Sequence, residues 1–223
     1  MPRYSRPAAD PLSFTRSHDR WYSRMAGLYE VTVRLLPTWK SWLNSAIPHI
    51  LGPRVLEVSF GTGYLLTQYA DRFEAHGIDY NERMVEIAMA NLRKSGDPSR
   101  LIRASVEALP YKDGAFDSVV NTMALSGYPD GLRAVAEMRR VLKESGRIVL
   151  IDVNYPMEGG WLGMGLANAW KLTGDKIWNM SELFDACSLD FHHAEIGGFG
   201  SVHLYVAEKR SIAPPSKPVS KGN

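Results

Sequence analysis

The sequence predicts an α/β fold: a mostly parallel seven-stranded sheet with helices on both faces and a C-terminal antiparallel hairpin. Three observations carry that expectation. Short apolar runs alternate with amphipathic stretches between residues 55 and 153, the pattern of repeated strand–helix–strand units. A turn rich in small residues follows the first run, between Val58 and Tyr64. Two late strand candidates flank Gly197-Gly198-Phe199-Gly200, a turn that suits a hairpin.

Taken in order, Val55–Val58 reads as a short buried strand, and Thr62 onward as a helix whose apolar face carries Leu65, Leu66 and Tyr69. His76–Tyr80 is a second strand, and Asn81 caps a helix running to Ser95. Leu101–Ser105 is a third, followed by Val106-Glu107-Ala108-Leu109-Pro110. The Asp113-Gly114 turn opens a fourth, Phe116–Asn121, of the near-continuous apolar character expected inside a parallel sheet. Asp130 caps a helix to Leu142, Gly146 ends the turn, and Arg147–Val153 is the fifth strand. Asp190–Ile196 and Val202–Glu208 complete the set. Ahead of the first strand, Trp21, Met25, Leu28, Thr32 and Leu35 recur at helical spacing up to Pro37, and Trp39, Trp42, Leu43 and Ile47 repeat the pattern before Pro48. The expected division is therefore a helical cap over 1–48, a ligand-binding domain over 49–210 with a lid-like insertion at 156–188, and a disordered Pro/Ser/Lys-rich tail over 211–223.

The small-residue turn carries the chemistry. It lets the backbone approach a ligand at the start of a helix. Glu57 ends the strand four positions before Gly61. A carboxylate there would repel a pyrophosphate and suits a hydroxyl-bearing or cationic ligand, a combination that points to S-adenosylmethionine. A dinucleotide fingerprint would require glycines at 59, 61 and 64, and Ser59 and Tyr64 fail it. The pattern acidic-x-G-x-G-x-G is met at Glu57, Gly61 and Gly63 and missed at Ser59. Asp79 lies about 20 residues past the turn, where α/β cofactor folds place a carboxylate against ribose hydroxyls. The bland alternative is a tight turn with no ligand.

With these motifs in place, residues 50–155 resemble a class I S-adenosylmethionine-dependent methyltransferase, of the ubiquinone/menaquinone-biosynthesis-like group with a type 11 methyltransferase domain. Val55–Leu66 is similar to its first motif and Gly77-Ile78-Asp79 to its ribose-binding acid. Ser105–Pro110 is similar to its adenine-side motif, Phe116–Val120 to its fourth strand, and Arg140–Arg147 to the turn into the fifth. The resemblance implies a Rossmann-like fold and S-adenosyl-L-methionine as cofactor, leaving as S-adenosyl-L-homocysteine. It also implies Glu57, Ser59, Gly61, Gly63, Asp79, Tyr80, Ser105, Val106, Glu107 and Asn121 as the cofactor-binding residues. Two positions depart from the family. Ser59 replaces its first glycine, at a cost of about 1–2 kcal/mol if the position needs φ > 0. Ser105 stands where an aspartate usually contacts the adenine amino group.

Composition narrows the partners. The 223 residues, 45% hydrophobic and 22% charged, suffice for one substantial core, and no apolar run reaches the roughly 20 residues of a membrane span. Met1–Arg20 is polar, arginine-dotted and proline-broken, unlike a signal peptide. The lone Cys187 suits a reducing cytoplasm, and no Cys/His spacing calls for a metal; His192 and His193 on one strand point to opposite faces. Residues 1–40 carry 7 Lys/Arg against 3 Asp/Glu and 209–223 carry 4 against none, which leaves 15 basic and 21 acidic residues in between. An acidic middle argues against a nucleic-acid substrate, as does Asn121-Thr122-Met123-Ala124, which lacks the Asp/Asn-Pro-Pro-aromatic motif of base-amine methylating enzymes. The basic ends leave peripheral contact with anionic lipid open.

Of the six tryptophans, all but Trp39 fall at lid-like positions around the expected acceptor side. Core packing accounts for such stripes, yet their number favours a small apolar or aromatic acceptor. Methyl transfer is an in-line displacement in which positioning supplies roughly 7–11 kcal/mol, and a hydroxyl or carbon acceptor also needs a base. Asp152, Tyr155 and Tyr22 are the candidates, with Tyr29, His18 and His203 behind them. Three readings stand: methyl transfer to a small or lipophilic acceptor, non-catalytic S-adenosylmethionine binding, and a dinucleotide-dependent oxidoreductase.

Overall fold

In the computed structural model the described residues are 7–10, 13, 37–94, 100–172 and 174–210. The expected helix over 21–35, with His18, Tyr22 and Tyr29, and the tail over 211–223 lie outside them. The helices are α1 (Pro37–Asn44), α2 (Leu66–Tyr69), α3 (Glu82–Lys94), α4 (Gly131–Val141), α5 (Trp161–Lys171) and α6 (Met180–Ala186). The strands are β1 (Arg54–Val58), β2 (Glu74–Asp79), β3 (Arg100–Arg103), β4 (Phe116–Thr122), β5 (Leu142–Val153), β6 (Leu189–Gly197) and β7 (Val202–Lys209).

All seven strands form one sheet in the order β3-β2-β1-β4-β5-β7-β6. β1 pairs in parallel with β2 and β4, β2 with β3, and β4 with β5, while β7 runs antiparallel between β5 and β6. Alternation along each strand sends side chains to two cores. On β5, Ile148 and Leu150 face a layer built with Val135 and Met138 of α4 and Leu183 and Phe184 of α6. Val149, Ile151 and Val153 face the other, built with Leu43 of α1, Leu66 and Tyr69 of α2, and Ala88 and Leu92 of α3. Helices therefore cover both faces, as expected.

The caps are where the sequence puts them. Asn81 Oδ1 accepts from Met84 N at 3.1 Å at the start of α3, and Asp130 Oδ1 accepts from Arg133 N at 3.0 Å at the start of α4.

Two boundaries differ from expectation. The helix expected from Thr62 begins only at Leu66 and gives way to a 3-10 turn at Ala70–Arg72, because residues 61–65 form the turn itself. β5 starts at Leu142 rather than Arg147: Phe116 already pairs with Leu142 before the register shifts to Ser118 and Arg147.

The segment expected as one lid is two different things. Trp178 and Met180 are core residues, and the Trp178 indole N–H donates to the Leu125 carbonyl at 2.9 Å. Residues 157–172 form an outer layer that buries Gly163 and Ala167 and leaves Trp161 80% and Leu172 88% exposed. Trp39 and Trp42 join the packing, with Trp39 stacked on Trp170 at 6.2 Å between ring centroids.

Candidate functional site

The turn after β1 is a left-handed staircase. Ser59, Gly61 and Gly63 have φ of 55°, 56° and 74°. Glycine adopts this conformation freely; serine does so at about 1–2 kcal/mol. The glycine at 63 is also required by space, since a Cβ there would sit 2.8 Å from the Cβ of Ala88 on α3. The turn thus presses against α3, with Gly63 buried and Ser59 and Gly61 partly exposed.

Side chains from neighbouring strands hold it there. Asp79, at the end of β2, accepts from Gly61 N through Oδ2 and from Asn81 N through Oδ1, each at 2.9 Å. Asn121, near the end of β4, is fully buried and donates through Nδ2 to the Val58 carbonyl at 3.2 Å and to the Tyr128 hydroxyl at 2.7 Å. Tyr128 in turn donates to Ser59 Oγ at 2.7 Å. The serine that breaks the family's glycine pattern is therefore tied in by its own hydroxyl, which glycine could not offer. Asn121 Oδ1 remains buried without a hydrogen-bond partner and is the loop's spare acceptor.

Glu57 sits differently from the expectation of an exposed charge beside a cationic ligand. It is 1% exposed and accepts from the Tyr69 hydroxyl at 2.8 Å, behind the turn. Burial pushes its carboxyl up to about 8, the Tyr69 hydroxyl opposes that, and the Asp79 charge adds to it. It is a largely protonated group at neutral pH that braces the loop from beneath.

The remaining sequence candidates line the third-strand side. Tyr80 is partly exposed, with the Arg103 guanidinium 5.7 Å from its ring centroid and the Arg103 Nε donating to its carbonyl at 3.0 Å. Ser105 is half-buried and its Oγ accepts from Glu107 N at 3.2 Å; Val106 is buried in the core. Glu107 takes a scaffold role, accepting from Asp130 N at 2.9 Å, with burial raising its pKa. Arg140 secures the same loop by donating to the carbonyls of Leu109 and Tyr111.

Of the catalytic candidates within the described residues, Asp152 and Tyr155 both lie at the C-terminal end of β5 but face different partners. Asp152 is buried and accepts from Ser126 N at 2.9 Å and from its own neighbour Val153 N at 2.7 Å. Burial pushes its carboxyl up to about 7 against those hydrogen bonds. The Tyr155 hydroxyl donates to Asn168 Oδ1 and accepts from Lys171 Nζ, both at 3.3 Å, which tethers α5. Three contributors escaped the sequence reading: Tyr69, Asn81 as an Asp79 partner, and Tyr128. No spacing rule marks Tyr128, because it reaches the loop across 69 residues of chain. Among the described residues no cluster of His, Cys, Asp or Glu could hold a metal, and no helix is long and apolar enough to cross a membrane.

The donor set suits the cofactor implied by the sequence. The turn offers two partly exposed left-handed positions, Asp79 a carboxylate at the strand end, and Asn121 a buried carbonyl oxygen without a hydrogen-bond partner.

Residues 56–150 match a family described as a methyltransferase domain. The chain is 30% identical over 146 residues to the ubiquinone/menaquinone biosynthesis C-methyltransferase UbiE of Geotalea uraniireducens, covering 60% of this chain and 62% of that one. It is 31% identical to the demethylmenaquinone methyltransferase of Thermus thermophilus, over 63% of this chain and 67% of that one. A solved S-adenosylmethionine-dependent methyltransferase of Thermotoga maritima, titled a possible histamine N-methyltransferase, shares the fold with a TM-score of 0.67 at 20% identity. That match covers 85% of this chain and 98% of the other. The chain spans about three-fifths of the length of the first of these relatives.

Proposed function

Because the chain belongs to the class I S-adenosylmethionine-dependent methyltransferases, we propose that it transfers the methyl group of S-adenosylmethionine to a small lipophilic acceptor, an activity of the EC 2.1.1 class. The observation that carries this reading is the staircase Ser59–Gly61–Gly63 pinned to Asp79. Backbone at these positions is already fixed before any ligand arrives, and Ser59 and Gly61 remain partly exposed.

When bound, the cofactor supplies an electrophilic methyl group on a sulfonium. Asp79, a carboxylate fixed at the end of β2, suits vicinal ribose hydroxyls. Asn121 Oδ1 suits an ammonium group at the loop. Ser105 and Val106 border the adenine side. The chain's contribution is then orientation, which supplies roughly 7–11 kcal/mol of such a barrier.

The acceptor approaches the C-terminal edge of β4 and β5. The quinone-related names of the relatives and the outward apolar side chains of α5 support a lipophilic molecule. Asp152, held close to neutrality, and Tyr155 are the edge residues suited to a proton. A soluble chain acting in the cytoplasm fits this reading.

Titration calorimetry with S-adenosylhomocysteine, followed by turnover against quinols, phenols, amines, thiols and phospholipids, tests it. Binding with turnover on an apolar acceptor is expected. Binding without any turnover would favour a non-catalytic cofactor binder, and NAD binding in its place would overturn the reading.

A further inference from the structure

Ser59 is the first left-handed position in the turn after β1 and the one that carries a side chain. Residues other than glycine leave that conformation readily, so the turn keeps its shape there only if something holds the serine. Main-chain donors hold the positions around it: Ser59 N donates to the Ile78 carbonyl at 2.7 Å and Gly61 N to Asp79 Oδ2 at 2.9 Å. The side chain itself is held from a distant part of the chain, by the Tyr128 hydroxyl at 2.7 Å.

The fold around Tyr128 fixes where that hydroxyl sits. Tyr128 follows the 3-10 turn Leu125–Gly127, donates its N–H to the Leu125 carbonyl at 3.1 Å, and packs its ring in the core that includes Val58 and Leu125. The next carbonyl along, Pro129, accepts from Ala8 N at 2.8 Å and from Lys176 Nζ at 3.0 Å. The direction of the bond is fixed as well. Asn121 Nδ2 can only donate, and it donates to the Val58 carbonyl and to the Tyr128 oxygen, so the phenol proton is left for Ser59 Oγ. Turning the Asn121 amide over would set its oxygen against the Val58 carbonyl. Burial pushes the Tyr128 phenol far above its ordinary range against these hydrogen bonds, and the Asp79 charge adds to the shift, so the hydroxyl keeps its proton.

We propose that Tyr128 is a positioning residue for cofactor binding: its hydroxyl keeps Ser59 left-handed, so that the Tyr128–Ser59 pair replaces a glycine at the head of the turn. This rests on the turn being the cofactor site, and it adds a residue that lies 69 positions away from it. Tyr128 acts through Ser59, by raising the share of chains whose turn is ready to bind. A hydroxyl at 128 is therefore needed only while residue 59 carries a side chain.

The test compares four full-length chains: unaltered, Tyr128→Phe, Ser59→Gly, and both substitutions together. Calorimetry with S-adenosylhomocysteine reads affinity, and amide hydrogen exchange reads the turn without ligand. Phenylalanine keeps the packed ring and removes the hydroxyl. With serine at 59, Tyr128→Phe should weaken S-adenosylhomocysteine about tenfold, the scale of the left-handed penalty that the bond offsets. With glycine at 59 the same change should cost at most about threefold, because no such penalty remains. Exchange at Gly61 should quicken in Tyr128→Phe while the amides of β4 and β5 keep their protection. Equal losses on both backgrounds, unchanged affinity with serine at 59, or protection lost across the whole sheet would make Tyr128 a core residue and overturn the proposal. If Tyr128→Phe does not fold, Ser59→Ala and Ser59→Gly decide: the alanine chain should bind about tenfold more weakly than the glycine chain, and equal affinities would overturn the proposal. An unaltered chain that does not bind S-adenosylhomocysteine would sink the cofactor site and the proposal with it, whereas binding with equal losses sinks the proposal alone.

Discussion

The two edges of this sheet are finished differently. Around the β1–β2–β4 edge, Asp79, Asn121 and Tyr128 bond the turn that holds a strained serine in place. Around the β5–β7–β6 edge, α5 turns Trp161, Leu162 and Leu166 outward. One half fixes its backbone in advance, at the cost of left-handed strain at Ser59. The other leaves large apolar side chains facing solvent. The contrast teaches where shape is set by the chain alone and where it waits for something else. A preorganised frame suits a ligand whose form never varies, and an unfinished wall suits the variable one.

Each half also holds one carboxyl well above its ordinary pKa, and these give the largest expected effect. Unfolded, Glu57 and Asp152 ionise near 4.5 and 3.8; folded, burial holds them near 8 and 7. Between those values the native chain keeps protons that the unfolded chain has released. Their contribution to stability is therefore full below about pH 4 and lost as pH rises to 7–8, a few kcal/mol in all. Urea unfolding at pH 5 and pH 8 reads it. Glu57→Gln and Asp152→Asn should each reduce the loss on going to pH 8. An unchanged pH slope in both variants would mean that neither acid is held neutral.

Next comes the frame's centre. Asp79→Ala strands the Gly61 and Asn81 N–H groups and should cost about 2–3 kcal/mol of stability. S-adenosylhomocysteine should bind about 10- to 100-fold more weakly by calorimetry, whereas an outward residue of α5 such as Trp161 should leave that affinity alone when replaced. Unchanged affinity in Asp79→Ala would remove the carboxylate from the cofactor site.

How far the sequence foretold this difference follows from the range of the interactions involved. The parallel strands themselves, the Asn81 and Asp130 caps and the glycine turn rest on local pattern and were legible. The left-handed φ at Ser59 was anticipated from its glycine-patterned position. The inward turn of Glu57 was not, because β1 is buried on both faces and periodicity cannot say which face a strand residue takes. Tyr128 with Ser59, and Asp152 with Ser126, depend on pairings between 26 and 69 residues apart. No local signal encodes those. The division of 156–188 into a core part and an outer helix was equally hidden, since Trp161 and Trp178 look alike in sequence and differ only in what the fold puts beside them.

A pair of substitutions at Ser59 separates strain from bonding. Ser59→Ala keeps the left-handed strain and loses the Tyr128 hydrogen bond, so it should cost about 1–2 kcal/mol. Ser59→Gly loses the same bond but relieves the strain, so the two terms nearly cancel and stability should stay within about 1 kcal/mol. Denaturant midpoints of the two variants distinguish them. Equal losses would show that the loop does not pay for its conformation at this residue.

The smallest effect is expected on the outer helix, and it tests whether the open half is a structural support at all. Trp161 is 80% exposed and touches none of the sheet's two cores, so Trp161→Gln should change unfolding stability by no more than about 0.5 kcal/mol. Trp178, only 17 positions on, is buried and bonded to Leu125, and Trp178→Leu should cost several times as much. If α5 serves the acceptor rather than the fold, Trp161→Gln should raise KM for a lipophilic acceptor while S-adenosylhomocysteine affinity stays put. A stability loss at Trp161 matching that at Trp178 would instead make the helix part of the frame, and the contrast between the two halves would fail.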